Sequence, residues 1–214
     1  MTDPATYARW YDSPRGAWIG GIEAALLDEL VAPGAYESVL DVGCGTGYFT
    51  SYFAQRAIGP VVGLDPNLEW LDYAASHAPR RIAWVAGRGE ALPFAARSFD
   101  VTVSVTALCF IADQEKALRE IVRVTRRRIV LGLLNRRSLL WWQKGRGGGS
   151  GAYRGAHWHT VEEARELLSK AALRNVRLRT AIFFPGGGAA ARWLETRLPR
   201  RLPFGAFLAA VGDI

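Results

Sequence analysis

A short apolar run that leads into three alternate glycines constrains the fold of this chain more than any other feature. The run covers residues 39–42, the glycines are Gly43, Gly45 and Gly47, and sequence with helical spacing follows. Apolar runs of this length suit strands that are buried on both faces of a parallel sheet. Glycines permit a tight turn and let a ligand approach backbone N–H groups. The segment therefore predicts a buried strand, a ligand-binding turn and a helix.

The same alternation of apolar runs and helical stretches continues along the chain. The spacing of apolar residues predicts helices over 18–30 and 113–124, and Thr160 with Glu163 forms a capping box that opens another helix. Strands that alternate with helices in this way indicate an α/β fold with a mostly parallel sheet. The further apolar runs that predict strands lie at 60–65, 82–86, 99–105, 128–134, 176–184 and 204–211.

Composition limits the class of protein. The 214 residues suit a single domain, and the two cysteines exclude a disulfide-rich scaffold or a Cys-rich zinc site. We expect no metal site, because the chain offers no cluster of ligands at metal-binding spacing. We also expect no membrane span and no signal peptide, because the apolar runs are short and the first residues carry charges. These features together predict a cytoplasmic protein.

The charge balance is basic, with 27 Lys and Arg against 20 Asp and Glu and a net charge of +7. Such a balance permits binding to nucleic acid without requiring it. The arginine runs at 126–128 and 136–137 could contact RNA phosphates, although charge runs more often form solvated strand ends. Nucleic acid is therefore the disfavoured partner, and it stays open as an alternative.

An acidic residue follows the glycine turn at a spacing that suits a ribose. Asp65 ends the next apolar run and is positioned to accept hydrogen bonds from a ribose diol. The dinucleotide fingerprint G-x-G-x-x-G fails, because Tyr48 occupies the position of its third glycine. Asp41, two residues before Gly43, would repel a pyrophosphate but would attract an ammonium group. A nicotinamide-dependent oxidoreductase is therefore disfavoured.

The segment Asp41–Gly47 resembles motif I of the class I S-adenosylmethionine-dependent methyltransferases, and among them the methyltransferase type 11 family. Segments similar to later motifs of that family follow at matching spacing, at 63–67, 87–100 and 113–128. The segment 7–16 resembles a helix that many members fold over the cofactor. The resemblance implies a Rossmann-like sheet of seven strands, mostly parallel, with helices on both faces and the last strand antiparallel.

The resemblance also implies a cofactor, S-adenosyl-L-methionine, and its binding residues. Asp41 would lie near the ammonium group, Asp65 would hold the ribose hydroxyls, and the backbone of Gly89 would meet the adenine. The family often has Asp where this chain has Arg88, and Arg cannot accept a hydrogen bond from the adenine amino group. The cofactor-binding set that follows from the resemblance is Tyr11, Asp41, Gly43, Cys44, Gly45, Asp65, Pro66, Gly89, Glu90 and Thr106.

The expected organisation is one methyltransferase domain over residues 1–214. Its parts are a helical cap (1–35), a cofactor-binding core (36–135), a Gly-rich loop at the acceptor site (136–160), and a C-terminal helix with strands (161–214).

Catalytic candidates follow the Gly-rich loop. Histidine side chains ordinarily titrate near neutral pH, so His157 and His159 could serve as acid or base, and Tyr153 could line the acceptor pocket. Structural hydrogen bonds are the alternative role for both histidines. We expect a small-molecule acceptor, uncharged or anionic, held under the N-terminal segment and the Gly-rich loop. An RNA-modifying methyltransferase and a non-catalytic S-adenosylmethionine-binding protein stay open as alternatives.

Overall fold

The computed structural model describes residues 3–31, 37–56, 59–79 and 81–214, and within them a sheet of seven strands. The strand order is β3-β2-β1-β4-β5-β7-β6. The four pairs from β3 to β5 are parallel, and β7 runs antiparallel to both of its neighbours. The expected mostly parallel sheet with an antiparallel last strand is confirmed. The strands are β1 Val39–Val42, β2 Val61–Asp65, β3 Ile82–Ala86, β4 Phe99–Val105, β5 Thr125–Leu134, β6 Arg174–Ala181 and β7 Phe207–Asp213.

Local capping signals start several of the helices. The side chain of Asp3 caps the first helix, that of Asn67 the fourth and that of Asp113 the fifth. Thr160 and Glu163 form the predicted capping box at the sixth. The helices are α1 Pro4–Asp12, α2 Pro14–Val31, α3 Tyr48–Ala54, α4 Leu68–His77, α5 Gln114–Val124, α6 Val161–Lys170 and α7 Ala189–Glu195.

Helices cover both faces of the sheet, as expected. Crossovers between parallel strands are right-handed, so α3 and α4 lie on one face and α5 lies on the other. Helix α2 contacts α3, and an ion pair of 3.6 Å between Lys170 and Glu115 joins α6 to α5. All four residues of β1 are buried, as are six of the seven in β4, because both strands lie inside the sheet with a neighbour on each side.

The ends of β6 and β7 differ from the predicted bounds. The predicted strand over 176–184 stops at Ala181, because the carboxylate of Glu195 accepts the backbone N–H groups of Ile182 and Phe183, at 2.8 and 2.9 Å. The last strand runs to Asp213, where an ion pair of 2.7 Å with Arg128 joins it to β5. Pairing across the sheet therefore decides these ends.

The Gly-rich loop is folded into the domain. A π-helical turn at Trp141–Gly145 and single 3₁₀ turns at Arg146–Gly148 and Gly151–Tyr153 follow one another. The backbone N–H of Gly155 donates to the carbonyl of Gly148 at 2.9 Å and closes the loop. Positive φ angles at five of its glycines make this path possible. The loop is therefore a folded part of the domain.

The carboxyl ends of the parallel strands gather the loops that matter for function. The turn after β1, the turn after β2, the segment after β4 and the Gly-rich loop after β5 all lie at this edge. Open α/β sheets bind ligands at this edge. Among the described residues, no helix is long and apolar enough to span a bilayer, and no cluster of three metal-ligating side chains occurs.

An exposed glycine inside α2 gives a stability prediction. Gly21 is exposed, and a Cβ atom there would have no neighbour within 4 Å. We expect Gly21→Ala to stabilise the protein by about 0.5–1 kcal/mol, because alanine is the better helix former. Urea unfolding of both proteins measures the difference. A lower free energy of unfolding in the variant would contradict the geometry of this helix.

Candidate functional site

The turn after β1 is held in a shape that glycine alone adopts easily. Gly43, Gly45 and Gly47 have φ angles of 78°, 56° and 81°. A Cβ atom at Gly43 would lie 2.1 Å from the Cβ of Ala107, in the segment after β4. The turn therefore packs directly against the end of β4, and the first glycine is required by both its φ angle and its lack of a side chain.

The third glycine serves packing beneath the turn. A Cβ atom at Gly47 would lie 2.6 Å from the indole of Trp84, and one at Gly63 would lie 2.5 Å from the same ring. The indole of Trp84 therefore fills the space between the start of α3 and strand β2. This role of Trp84 was not predicted, because the sequence of β3 does not indicate that the indole ring packs against Gly47 and Gly63.

Asp65 connects the first two turns. Its Oδ2 atom accepts the backbone N–H of Gly45 at 2.9 Å, and its Oδ1 atom accepts that of Asn67 at 2.9 Å. Burial raises the pKa of Asp65, and the two N–H bonds oppose that shift. Each carboxylate oxygen has a second lone pair, so the group can also accept hydroxyl donors from a ligand. Pro66 follows it on the exposed side of the turn.

Asp41 is a buried carboxyl beneath the same turn. The hydroxyl of Thr50 donates to its Oδ2 atom at 2.6 Å, while its Oδ1 atom is buried with no hydrogen-bond partner among the described residues. Burial raises the pKa of Asp41 to about 7, Thr50 lowers it, and the charge of Asp65 adds to the rise. An unsatisfied buried acceptor of this kind calls for a cation or a donor.

Cys44 contributes backbone to the turn. Its thiol is directed toward β2, where a Cβ atom at Gly63 would lie 3.0 Å from the sulfur. Burial raises the pKa of this thiol far above its ordinary value, so the side chain has no thiolate character near neutral pH.

The segment after β4 forms the opposite wall. Thr106 has a φ angle of 58°, a strained conformation for a β-branched residue, and opens a 3₁₀ turn at Ala107–Phe110. Strain of this kind persists where the surrounding structure imposes it. The turn brings Ala107 against the glycine turn and thereby sets the width of the crevice between β1 and β4.

The adenine-side segment lies next to this wall. Gly89 is buried, and a Cβ atom there would lie 2.7 Å from the side chain of Ile111. Arg88 is 75% exposed in its side chain and pairs with Glu90 at 3.5 Å. The Arg88 guanidinium is therefore held at the surface and leaves the backbone of Gly89 free to meet a ligand.

Helix α1 folds over the glycine turn. Tyr11 stacks on Tyr48 with ring centroids 3.8 Å apart, and Tyr7 contacts Trp70 at 4.9 Å. The ring of Trp70 in turn lies 3.2 Å from the Cβ position of Gly45. The N-terminal helix therefore covers the turn through aromatic contacts.

The three predicted catalytic residues fall into two groups. The backbone N–H groups of His157 and His159 donate to the carbonyls of Cys109 and Leu134, a pattern typical of a strand with alternating side chains. The two histidine rings lie together, with centroids 4.5 Å apart, while Trp158 contacts Tyr153 at 5.5 Å. Tyr153 is thus on the opposite side of this segment from both histidines. Its pKa is raised to about 12 by burial and responds to the charges of Glu23 and Arg15, which are on α2.

The histidines line a cavity of about 720 Å³ between the start of α5, the end of the Gly-rich loop and α6. His157 is exposed and His159 is buried. The Nε2 atom of His159 lies 3.0 Å from Oε1 of Gln114, whose amide donates to the carbonyl of Leu108. That pairing makes Nε2 the protonated nitrogen of His159 and leaves Nδ1 as a bare acceptor. Burial lowers the pKa of His159 to about 4, so the ring is neutral at pH 7.

A glutamate that the sequence analysis missed lies on the inner side of α2. Glu23 falls one turn after Gly20, whose Cβ position is 2.7 Å from the hydroxyl of Tyr48. It shares a helical stripe with Ile19 and Leu27, which are both buried. A charged residue on an otherwise apolar stripe was the available signal.

Comparison with known proteins assigns the segment that carries the turn. The family model described as a methyltransferase domain, of the methyltransferase type 11 family, matches residues 40–131. An uncharacterized protein of Mycobacterium tuberculosis (strain ATCC 25618 / H37Rv) is 34% identical over 192 residues, which are 86% of this chain and 63% of that protein. This chain therefore spans less than two thirds of that relative's length. A malonyl-[acyl-carrier protein] O-methyltransferase of Pectobacterium atrosepticum is 39% identical over 89 residues, 41% of this chain and 34% of that enzyme.

Solved structures share the whole fold. A SAM-dependent methyltransferase from Thermotoga maritima, described as a possible histamine N-methyltransferase, superposes with a TM-score of 0.78 at 24% identity and covers 98% of this chain and 95% of its own. A TehB-like SAM-dependent methyltransferase from Corynebacterium glutamicum superposes with a TM-score of 0.63 at 24% identity, with coverage of 98% and 96%. At these identities the likeness establishes the fold. With the matched segment and the glycine turn, it leads to one assignment: residues 40–131 carry a methyltransferase domain of the type 11 family.

Proposed function

We propose that the chain transfers the methyl group of S-adenosylmethionine to a small-molecule acceptor by in-line displacement. The cofactor supplies a methyl group already activated on a sulfonium, so the protein's contribution is to position the acceptor and to exclude water. One observation carries the proposal: an unsatisfied buried carboxyl and a diol-accepting carboxyl flank one glycine turn.

The two carboxyls match the two ends of this cofactor. The free Oδ1 atom of Asp41 suits the ammonium of the methionine part, and the second lone pairs of Asp65 suit the ribose hydroxyls. The backbone of Gly89 is available to the adenine, because Arg88 is held at the surface by Glu90. Tyr11, Gly43, Cys44, Pro66, Glu90 and Thr106 surround the same crevice and complete the proposed binding set.

The acceptor is proposed to lie under α1 and α2 and against the Gly-rich loop. Tyr153 lies near enough to Tyr7 of α1 and Glu23 of α2 for their charges to raise its pKa. Its side of the loop therefore faces these helices. The charge of Asp65 raises the pKa of Tyr7, so this region lies near the carboxyl that is proposed to bind the ribose. Tyr153 is therefore the proposed acceptor-contacting residue, and His157 and His159 are proposed to act from the neighbouring cavity.

The arginine runs support a small molecule over RNA. Arg126 pairs with Asp100 at 3.0 Å, Arg127 with Glu37 at 2.5 Å and Arg128 with Asp213 at 2.7 Å. The second arginine run is also paired: Arg136 forms an ion pair with Glu163, and Arg137 forms one with Glu162. Arginines already engaged by carboxylates have less to offer to phosphates.

The relatives support the cofactor more than the acceptor. The matched part of the malonyl-[acyl-carrier protein] O-methyltransferase covers 41% of this chain, so the likeness does not extend over the whole acceptor region. A carrier-bound acceptor is therefore not adopted for this chain.

Ligand-dependent melting tests the proposed function. A ligand that binds the native state alone raises the melting temperature by mass action. We expect S-adenosylmethionine and S-adenosylhomocysteine each to raise it, and NAD to leave it unchanged. Saturating ligand at about 100 times Kd would add about 2.7 kcal/mol, which corresponds to a shift of several degrees for a chain of this size. A shift with NAD alone, or with none of the three, would overturn the assignment of the cofactor.

A further inference from the structure

The inner side of α2 carries a carboxyl that the proposed cofactor contacts leave unused. Glu23 is partly buried, and within the described part of the chain it has no hydrogen-bond or ion-pair partner. Carboxyl groups in a poorly hydrated setting are normally paired, because the charged form loses its solvation there. An unpaired one therefore indicates a missing ligand group.

Four tyrosines from three other parts of the chain lie near enough to this carboxyl for its charge to raise their pKa values. The charge of Glu23 acts on the hydroxyls of Tyr7 and Tyr11 of α1, on Tyr48 of α3 and on Tyr153 of the Gly-rich loop. Tyr7 and Tyr11 meet edge to face at 5.9 Å, and Tyr11 stacks on Tyr48 at 3.8 Å. We refer to Glu23 with Tyr7, Tyr11, Tyr48 and Tyr153 as the tyrosine cluster.

Two carboxyl groups, Glu23 and Asp65, and one guanidinium act on the cluster. Asp65 lies close enough to affect Tyr7, and Arg15, the cation that acts on Tyr153, is engaged by the carbonyl of Pro185 at 2.7 Å. Aromatic rings attract cations through their faces, and the carboxyl of Glu23 adds a negative charge when it ionises on binding a cation. An anionic acceptor would be repelled here, whereas an ammonium group would be attracted.

We propose that Glu23 binds the amino group of an amine acceptor, within the tyrosine cluster, and takes the proton that this group must lose before methylation. The proposal rests on the proposed function and names its substrate class. It differs from the sequence-based expectation of an uncharged or anionic acceptor, because Glu23 adds a carboxyl to this region.

The protonated amine gives one proton to a carboxylate oxygen of Glu23. The freed lone pair on nitrogen forms a bond to the methyl carbon, and the carbon–sulfur bond breaks with its electron pair left on sulfur. The products are an N-methylated ammonium and a neutral thioether. Burial raises the pKa of Glu23 to about 8, close to the working range of a general base at neutral pH.

Three probes that share a 2-phenylethyl group test the class of acceptor. They are 2-phenylethylamine, 2-phenylethanol and 3-phenylpropionate, each titrated by calorimetry into the complex with S-adenosylhomocysteine. We expect the amine to bind most tightly, and Glu23→Gln to weaken its binding by about 10- to 100-fold, since a charge-assisted hydrogen bond is lost. Glu29→Gln is the matched control, because Glu29 lies on the same helix and is exposed.

Proton release separates binding at Glu23 from a structural role of that residue. At pH 7 the free carboxyl is largely protonated, so binding the ammonium should release about one proton, measured in buffers of different ionisation enthalpy. At pH 9 the release should fall toward zero, because Glu23 is already ionised. The groups that face it, the four tyrosines, have pKa values raised above 10 and stay neutral over this range.

The outcomes distinguish this proposal from the proposed function. If S-adenosylhomocysteine fails to bind the unaltered protein, the proposed function itself is overturned. If it binds the protein and both variants, but the carboxylate binds more tightly than the amine, the role of Glu23 is overturned and the methyltransferase function stands. The same holds if Glu23→Gln binds the amine as well as Glu29→Gln does, or if none of the three probes binds.

Discussion

Asp65→Ala is expected to weaken the binding of S-adenosylhomocysteine by about 100-fold or more. The ribose diol loses an ionised acceptor, and hydrogen bonds to charged groups each contribute about 1.5–3 kcal/mol. The change also frees the backbone N–H groups of Gly45 and Asn67, which Asp65 holds at 2.9 Å each. The glycine turn then loses the contact that fixes it against β2. Both effects act in the same direction.

Isothermal calorimetry measures this affinity, with two further variants for comparison. Asp65→Asn retains one acceptor oxygen but presents an NH₂ group on the other side, so we expect an affinity between those of the alanine variant and the unaltered protein. Asp72→Ala removes an exposed carboxylate from α4 and should bind normally. An unchanged affinity in Asp65→Ala would refute the position assigned to the ribose.

The parts of this structure that are specified locally could be predicted from the sequence. The glycine turn needs positive φ angles at alternate residues, and the capping box of α6 lies within four residues. Asp65 could also be predicted, because its position follows from the end of the next strand. These features depend on near neighbours in the chain, so the residues that specify them are close together in the sequence.

Features set by distant parts of the chain could not be predicted. Strand β6 ends where the carboxylate of Glu195 accepts the backbone N–H of Ile182, and Glu195 lies fourteen residues beyond Ala181. The grouping of Tyr153 with α1 and α2, and its separation from His157, follows from the alternation of side chains along a loop of irregular conformation. No periodic pattern in the sequence predicts the conformation of that loop.

Glu23 illustrates the same limit within a helix. Its stripe on α2 was recognisable as apolar, and that pattern predicted the helix correctly. The pattern does not indicate which part of the stripe packs on the sheet and which part overhangs the site. The position of Gly20 against Tyr48 answers that question, and it depends on how α2 crosses α3.

Gly43→Ala is expected to destabilise the protein by about 2–5 kcal/mol and to remove detectable cofactor binding. A left-handed backbone costs an L-residue about 1–2 kcal/mol, and forcing a methyl group into a packed site costs about 1–3 kcal/mol more. At this position the new Cβ would lie 2.1 Å from that of Ala107, and φ is 78°. The turn must shift away from β4, and the crevice that the two walls define changes width.

A double variant separates the two causes. Gly43→Ala combined with Ala107→Gly removes the opposing methyl group but keeps the unfavourable φ angle. We expect it to recover the packing part of the loss and to retain the backbone part of about 1–2 kcal/mol. Urea unfolding gives the stabilities, and calorimetry with S-adenosylhomocysteine gives the affinities. If Gly43→Ala binds the cofactor normally, or if Ala107→Gly restores nothing, the close approach of the glycine turn to the end of β4 does not shape the site.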